Sequence, residues 1–166
     1  MKRLLIIHHS MTDGTRQMAQ AALEGAMDES NIAVAGMHAA ETSAEDLLES
    51  DGYIFATPEN LASMAGVMKD FFDRCYYPLL DQIQGRPYAT MICAGSDGAG
   101  TARQIARIAT GWRLKPIAEP TIIITGAQTP EAIAAPKTIS AADLARCHEL
   151  GAVSYTHLTL PTICSV

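Results

Sequence analysis

The chain has 166 residues, of which 48% are hydrophobic, 18% charged and only 5% aromatic, and its formal net charge is −6. That length suits one domain burying roughly 70% of its unfolded surface around an aliphatic core. An acidic chain with no Lys/Arg stripe lacks the means to displace phosphate counterions, which argues against nucleic acid as a partner. Its apolar runs are too short for a signal-peptide core or a membrane span, so a cytoplasmic protein is expected.

Cys75, Cys93, Cys147 and Cys164 are widely spaced, with no Cys-x-x-Cys pair and no His at zinc-finger spacing. Reduced structural thiols are expected, with neither a disulfide framework nor a metal site.

Short apolar runs alternate with longer helical ones. Leu4 to His8 reads as a strand buried on both faces, and Thr15 to Glu29 as a helix with Met18, Ala22, Leu23 and Ala26 on its inner stripe. A second strand covers Ile32 to Met37, a short helix Ala44 to Glu49, and a short buried third strand Tyr53 to Ala56. After a loop from Thr57 to Ala65 come a helix from Val67 to Tyr77, a strand from Tyr88 to Ala94 and a helix from Thr101 to Thr110 closed by Gly111. Ile122 to Thr125 reads as the last strand and Ala141 to Leu150 as the last helix. Such βα alternation predicts a doubly wound, three-layer α/β fold, flavodoxin-like, with a five-stranded parallel sheet of order 2-1-3-4-5.

The stretch from Val153 to Thr162 fits no element of this pattern and resembles a translated sequencing-adapter read. The expected organisation is therefore a domain over 1–152 and a non-native tail over 153–166, so His157 and Cys164 carry no functional weight.

Ligands of such sheets bind beyond the carboxyl ends of the strands, where three loops should meet. His9-Ser10-Met11-Thr12-Asp13-Gly14-Thr15 leads into a helix N-terminus, where unpaired amides, hydroxyls and Gly suit a phosphate; the same residues also serve as an ordinary N-cap. Neither a Walker lysine nor Gly-x-Gly-x-x-Gly follows this strand, so a nucleoside triphosphate or a tightly held dinucleotide is not signalled. The second loop combines the rigid Pro58 with Thr57, Glu59, Asn60 and Leu61. The third, Ala94 to Gly100, is Gly-rich, as expected where backbone approaches a flat ring. His8 and His9 are read as packing and loop residues. Asp70, Asp73 and Arg74 are read as a solvated helix face, and Trp112, Tyr76 and Tyr77 as packing residues.

Taken together, three stretches resemble the flavodoxin-like NAD(P)H-dependent FMN reductases: His9 to Met18; Asp51 to Arg74, with Thr57-Pro58-Glu59-Asn60 and Met68-Lys69-Asp70-Phe71-Phe72-Asp73-Arg74; and Ala94 to Gly100. The similarity spans nearly all of 3–152. By that resemblance Ser10, Thr12, Gly14 and Thr15 hold the FMN phosphate, Met11 and Asp13 belong to the same cofactor-binding loop, and Thr57, Pro58, Glu59, Asn60, Leu61, Gly95, Ser96, Asp97 and Gly98 border the isoalloxazine. One departure stands out: Asp13 takes a place where the family commonly has Gly. If it faces the phosphate, the repulsion is worth about 1–2 kcal/mol at roughly 10 Å and an effective dielectric near 20; if it faces solvent or caps the helix, the cost vanishes.

The resemblance implies an FMN-binding oxidoreductase that takes electrons from NAD(P)H and passes them to a quinone, flavin or other small acceptor, as a monomer or a homo-oligomer. The alternative is a flavodoxin-type electron carrier serving a redox protein, for which the acidic charge provides steering. Carriers of that type flank the flavin with stacked aromatic rings, and the second and third loops contain none. No Ser-His-Asp or Cys-His grouping is present, so no catalytic acid, base or nucleophile is assigned. A phosphorylatable receiver is disfavoured, because His8-His9 and Thr57 stand where it needs acidic residues.

Overall fold

A computed structural model describes residues 1–29 and 31–159. In chain order the elements are β1 (Lys2–His8), α1 (Gly14–Met27), β2 (Ile32–His38), α2 (Ala44–Leu48), β3 (Gly52–Asn60), β4 (Ser63–Met64), α3 (Gly66–Leu79), β5 (Pro87–Ala94), α4 (Ala99–Gly111), β6 (Lys115–Pro116), β7 (Thr121–Ile124), α5 (Pro130–Ala134) and α6 (Ala141–Thr159). A single 3-10 turn, Ala39–Glu41, links β2 to α2.

The parallel sheet runs β2-β1-β3-β5, and its far edge is one interrupted strand: β6 pairs with the start of β5 and β7 with its end. Counting β6 and β7 as that fifth strand recovers the expected order 2-1-3-4-5. Successive residues of β1 supply opposite layers, as the two-residue period of a strand requires. Leu4 and Ile6 join Met18, Ala22 and Cys147 under α1 and α6, whereas Leu5 and Ile7 join Phe71, Phe72 and Trp112 under α3 and α4. Trp112 is 1% exposed, stacks on Tyr76 with ring centroids 5.8 Å apart, and donates its indole N–H to the Tyr76 carbonyl at 3.0 Å. Arg74 pairs with Asp70 and donates to the carbonyls of Ala39 and Thr42, tying α3 to the 3-10 turn.

Two expectations need correction. The third strand does not stop at Ala56: it continues through Thr57-Pro58-Glu59-Asn60 and folds back as an antiparallel hairpin, with Asn60 opposite Ser63 and Glu59 opposite Met64. Pro58 is tolerated there because only a ladder donor is lost, near the strand's end. The last helix does not end at Leu150 or break at Val153. It runs to Thr159, burying Ser154, Tyr155 and Leu158, and Leu158 packs over Gly52 at the start of β3. Cys164 lies outside the described residues, and Cys75, Cys93 and Cys147 are free, buried thiols.

Helix α6 crosses α1 at two glycines. A Cβ on Gly25 would collide with the His148 carbonyl, and one on Gly151 with the Ala22 carbonyl, so the two backbones touch directly. Among the described residues, no helix is long and apolar enough to cross a membrane.

Candidate functional site

The carboxyl ends of β1, β3 and β5 open onto a cleft of about 460 Å³. One wall is Ser10, Met11, Thr12, Gly14 and Thr15; the second is Pro58 to Ala62; the third is Cys93 to Ser96. A fourth wall, Thr125, Ala127, Ile133 and Lys137, was not anticipated. Of the fifteen residues singled out in the sequence, Asp13, Thr57, Asp97 and Gly98 do not line the cleft.

The first wall is built as an anion cradle. Asp13 adopts φ 74°, a left-handed conformation that Gly takes without penalty, and turns the chain so that α1 starts at Gly14. Among the described residues nothing accepts from the Gly14 and Thr15 amides, while Ser10 Oγ accepts from Arg16 N at 3.1 Å. Thr15 is 2% exposed, and its hydroxyl has no partner although it borders the cleft. An orphaned buried hydroxyl costs about 1–3 kcal/mol, a cost removed by a ligand oxygen at the helix N-terminus. Gly14 has no room for a side chain, since a Cβ would stand 2.7 Å from Cys93 Sγ.

Asp13 is not part of the cleft lining. Its carboxylate pairs with Arg16 and accepts from Gln17 Nε2 at 3.1 Å, on the outer side of the loop. The Arg16 hydrogen bond holds the Asp13 carboxyl below the usual carboxylate range. It does not cap α1 with its side chain either.

Lys137 brings a positive charge to the Ser10–Thr15 loop from more than a hundred residues away. Its backbone N–H donates to the Thr12 carbonyl at 2.7 Å, and its ammonium donates to Thr12 Oγ1 at 3.3 Å and to the carbonyls of Ile133 and Ala135. Gln17 fixes this strap to α1 by donating to the Lys137 carbonyl and accepting from the Ile139 amide. The signal that marks the strap is Thr129-Pro130, where Thr129 caps α5 and Pro130 opens it.

Glu59 works inside the protein. Its carboxylate accepts from Gly98 N at 2.9 Å, Thr101 N at 3.2 Å and Thr101 Oγ1 at 2.8 Å, and so caps α4 from the cleft wall. Thr57 is fully buried, donating to the Pro58 carbonyl and accepting from Ala65 N, and braces the hairpin. The chain itself needs the third loop's glycines: a Cβ on Gly95 would meet the Ala127 carbonyl at 2.7 Å, and one on Gly98, at φ 89°, would meet Ile122 at 2.6 Å. Asp97 is exposed and accepts from Ala99 N.

Behind the cradle His8, His9 and His38 form a cluster, with His8 and His38 opposite each other in the β1–β2 ladder. Burial, followed by the His38 and His9 charges, lowers the pKa of His8; burial and then His38 lower that of His9. No group of three or more His, Cys, Asp or Glu side chains among the described residues is arranged to hold a metal.

The model of the family described as NADPH-dependent FMN reductase matches residues 35–129, more than half of the chain. The chain belongs to that family. It is similar to a flavodoxin of Aquifex aeolicus, 31% identical over 60% of this chain and 54% of the relative, and to an NAD(P)H dehydrogenase (quinone) of Acidithiobacillus ferrooxidans, 35% identical over 45% and 47%. The chain therefore spans about half the length of the curated relatives it matches. A flavodoxin from the domain Archaea superposes with TM-score 0.77 at 16% identity, covering 95% of this chain and 99% of that one. A WrbA-like flavodoxin from Agrobacterium tumefaciens gives 0.74 at 17%, covering 95% and 98%. These likenesses show a flavodoxin-like fold, and membership makes the chain part of an FMN-binding family of oxidoreductases.

Proposed function

We propose that the cleft holds FMN, with its phosphate against Ser10, Thr12, Gly14 and Thr15 and its ring system between Pro58–Leu61 and Ala94–Ser96. The proposed role is an oxidoreductase drawing on NAD(P)H and serving a small electron acceptor. When bound, FMN supplies the hydride-accepting and electron-releasing chemistry. The protein's own part is positional: the Gly14 and Thr15 amides, the Thr15 hydroxyl and the N-terminal end of α1 neutralise an ester without a Walker lysine, and Lys137 adds charge through Thr12. The braced β3–β4 hairpin fixes one wall of the cleft.

One observation carries the reductase reading over the carrier alternative: among the described residues no Phe, Tyr or Trp lines the cleft, so a ring seated there would present a face to small reactants. The test is absorption spectroscopy of purified protein with added FMN, followed by anaerobic NADH or NADPH. The expected result is saturable flavin uptake and bleaching by the nicotinamide. Bound flavin that stays oxidised removes the reductase reading and leaves the carrier.

A further inference from the structure

Among the described residues two buried side-chain polar atoms have no hydrogen-bond partner, Thr15 Oγ1 and His8 Nδ1, and both belong to residues at the N-terminal end of α1. Thr15 borders the cleft, where a ligand oxygen answers its hydroxyl. His8 borders a separate pocket of about 360 Å³, and Ser10, Met11 and Thr12 line that pocket as well as the cleft, so the phosphate loop is the partition between the two. The alternation of β1 accounts for this placement: His8 continues the series Leu4, Ile6 and falls on the strand face that packs under α1.

His8 is one of three packed imidazoles. Its ring meets that of His38 edge-on with centroids 5.9 Å apart, His38 meets His9 at 5.2 Å, and His9 Nδ1 lies 3.3 Å from His38 Nε2. Burial and then the neighbouring histidines hold the pKa of His8 below 6.5. The other charges facing the pocket come from α1, where Asp13 and Arg16 pair with each other; the strap contributes the uncharged Pro136, and the adjacent Lys137 is engaged by Thr12 and two carbonyls. The fixed charges around the pocket are thus engaged, and its histidines are the groups whose charge can change near neutral pH.

We propose that His8, backed by His38 and His9, supplies a countercharge to the FMN phosphate across the Ser10–Thr12 partition by taking up a proton as the nucleotide binds. This rests on the reading that the cleft holds FMN, and it adds that uptake of the cofactor depends on pH. One solvent proton adds to the unprotonated nitrogen of a neutral imidazole; no bond of the ester changes, and the phosphate dianion is left opposite an imidazolium. A nearby anion raises the pKa of a histidine, so by linkage FMN binds more tightly as the pH falls toward 6.5. His8 does not line the cleft and acts through the loop, as a positioning residue.

The experiment titrates the full chain with FMN and, in parallel, with riboflavin, which has no phosphate. Flavin fluorescence is followed from about pH 8 to about pH 6, and the protons exchanged are counted with an indicator in weak buffer near pH 7. The unsubstituted chain is expected to take up protons with FMN and none with riboflavin. His8→Gln should lose that uptake, and between about pH 8 and about pH 6 the unsubstituted chain should gain about tenfold in FMN affinity relative to the variant, as a rise of about one unit in the pKa of one histidine gives. Protonation of the ester itself near pH 6 works in the opposite direction and is common to both proteins, so their comparison isolates the histidine. Net proton release, equal pH dependence in the two proteins, or the same uptake with riboflavin overturns the proposal. Should His8→Gln fail to fold, as judged by its melt near pH 8, the proton count on the unsubstituted chain still decides. Failure of the unsubstituted chain to take up FMN at every pH defeats the underlying reading instead.

Discussion

His9 Nδ1 lies 3.3 Å from His38 Nε2, while His38 Nδ1 accepts the Ala40 amide at 3.2 Å. An acceptor at Nδ1 puts the His38 proton on Nε2, which makes His38 the donor to His9. The folded pKa values of His8 and His9 lie below the ordinary 6.5, so the unfolded chain binds more protons than the folded one as the pH drops past that value. The stability they contribute is complete above 6.5 and is lost as pH falls from 6.5 through their folded values. Thermal melts from about pH 7.5 to about pH 5.5 should show a steeper fall for the unsubstituted chain than for a His8→Gln, His9→Gln double variant. Parallel profiles would refute the linkage.

The orphan hydroxyl of Thr15 gives a prediction with two opposite signs. Thr15→Val keeps the shape and removes an unsatisfied buried oxygen, so without cofactor the variant should be more stable by about 1 kcal/mol. With FMN present the same change deletes a phosphate partner, and affinity should fall about tenfold. Melts with and without FMN, together with a fluorescence titration, read both effects; a variant destabilised in both states would show that the hydroxyl is a structural group.

Glu59 should behave as a helix cap and not as a redox residue. Glu59→Ala strips two amides and the Thr101 hydroxyl of their charged acceptor, and a loss of about 2–3 kcal/mol is expected in urea unfolding. Glu59→Gln, which keeps one carbonyl acceptor, should lose about half as much. Equal midpoints for all three proteins would contradict the cap.

The walls of the cleft were legible in the sequence to the extent that short-range chemistry writes them. Ser10 to Thr15 announce a strand-to-helix turn with hydroxyls and Gly, and ten residues of periodic apolar pattern follow. What stayed hidden depends on distant partners. Lys137 reaches Thr12 across more than a hundred residues, and only the folded strap brings them together. Glu59 and Asn60 read as loop because Pro58 normally ends a strand, yet the α4 cap and the hairpin ladder outweigh that preference. The third loop's glycines suggested room for a ring, whereas Gly95 and Gly98 make room for Ala127 and Ile122. Helix α6 extends past Gly151 because burial of Tyr155 and Leu158 overrides the weak helix propensity of its Thr-rich end.

Asp13→Gly tests the sign of the charge at the cradle. The carboxylate is already paired with Arg16 and does not line the cleft, so FMN affinity should stay within about threefold of the unsubstituted chain. A tenfold tightening would mean that the carboxylate does repel the ester. A tenfold loss would mean that the Asp13–Arg16 pair shapes the loop.

Packing of α6 on α1 gives a second large expected stability effect. Gly151 faces the Ala22 carbonyl and Gly25 the His148 carbonyl, and in both places the atom in the way is backbone, which cannot swing aside as a flexible side chain would. Gly151→Ala must therefore push the helices apart along a seam that also buries Cys147, Leu150 and Ser154. Overpacking of this kind costs about 1–3 kcal/mol, and the upper end is expected because two rigid elements have to move. Gly36→Ala is the control: its Cβ meets nothing within 4 Å and Ala suits a strand at least as well as Gly. Urea unfolding should give a lowered midpoint for Gly151→Ala and an unchanged or raised one for Gly36→Ala. Equal midpoints would show that α6 does not dock on α1 through this seam.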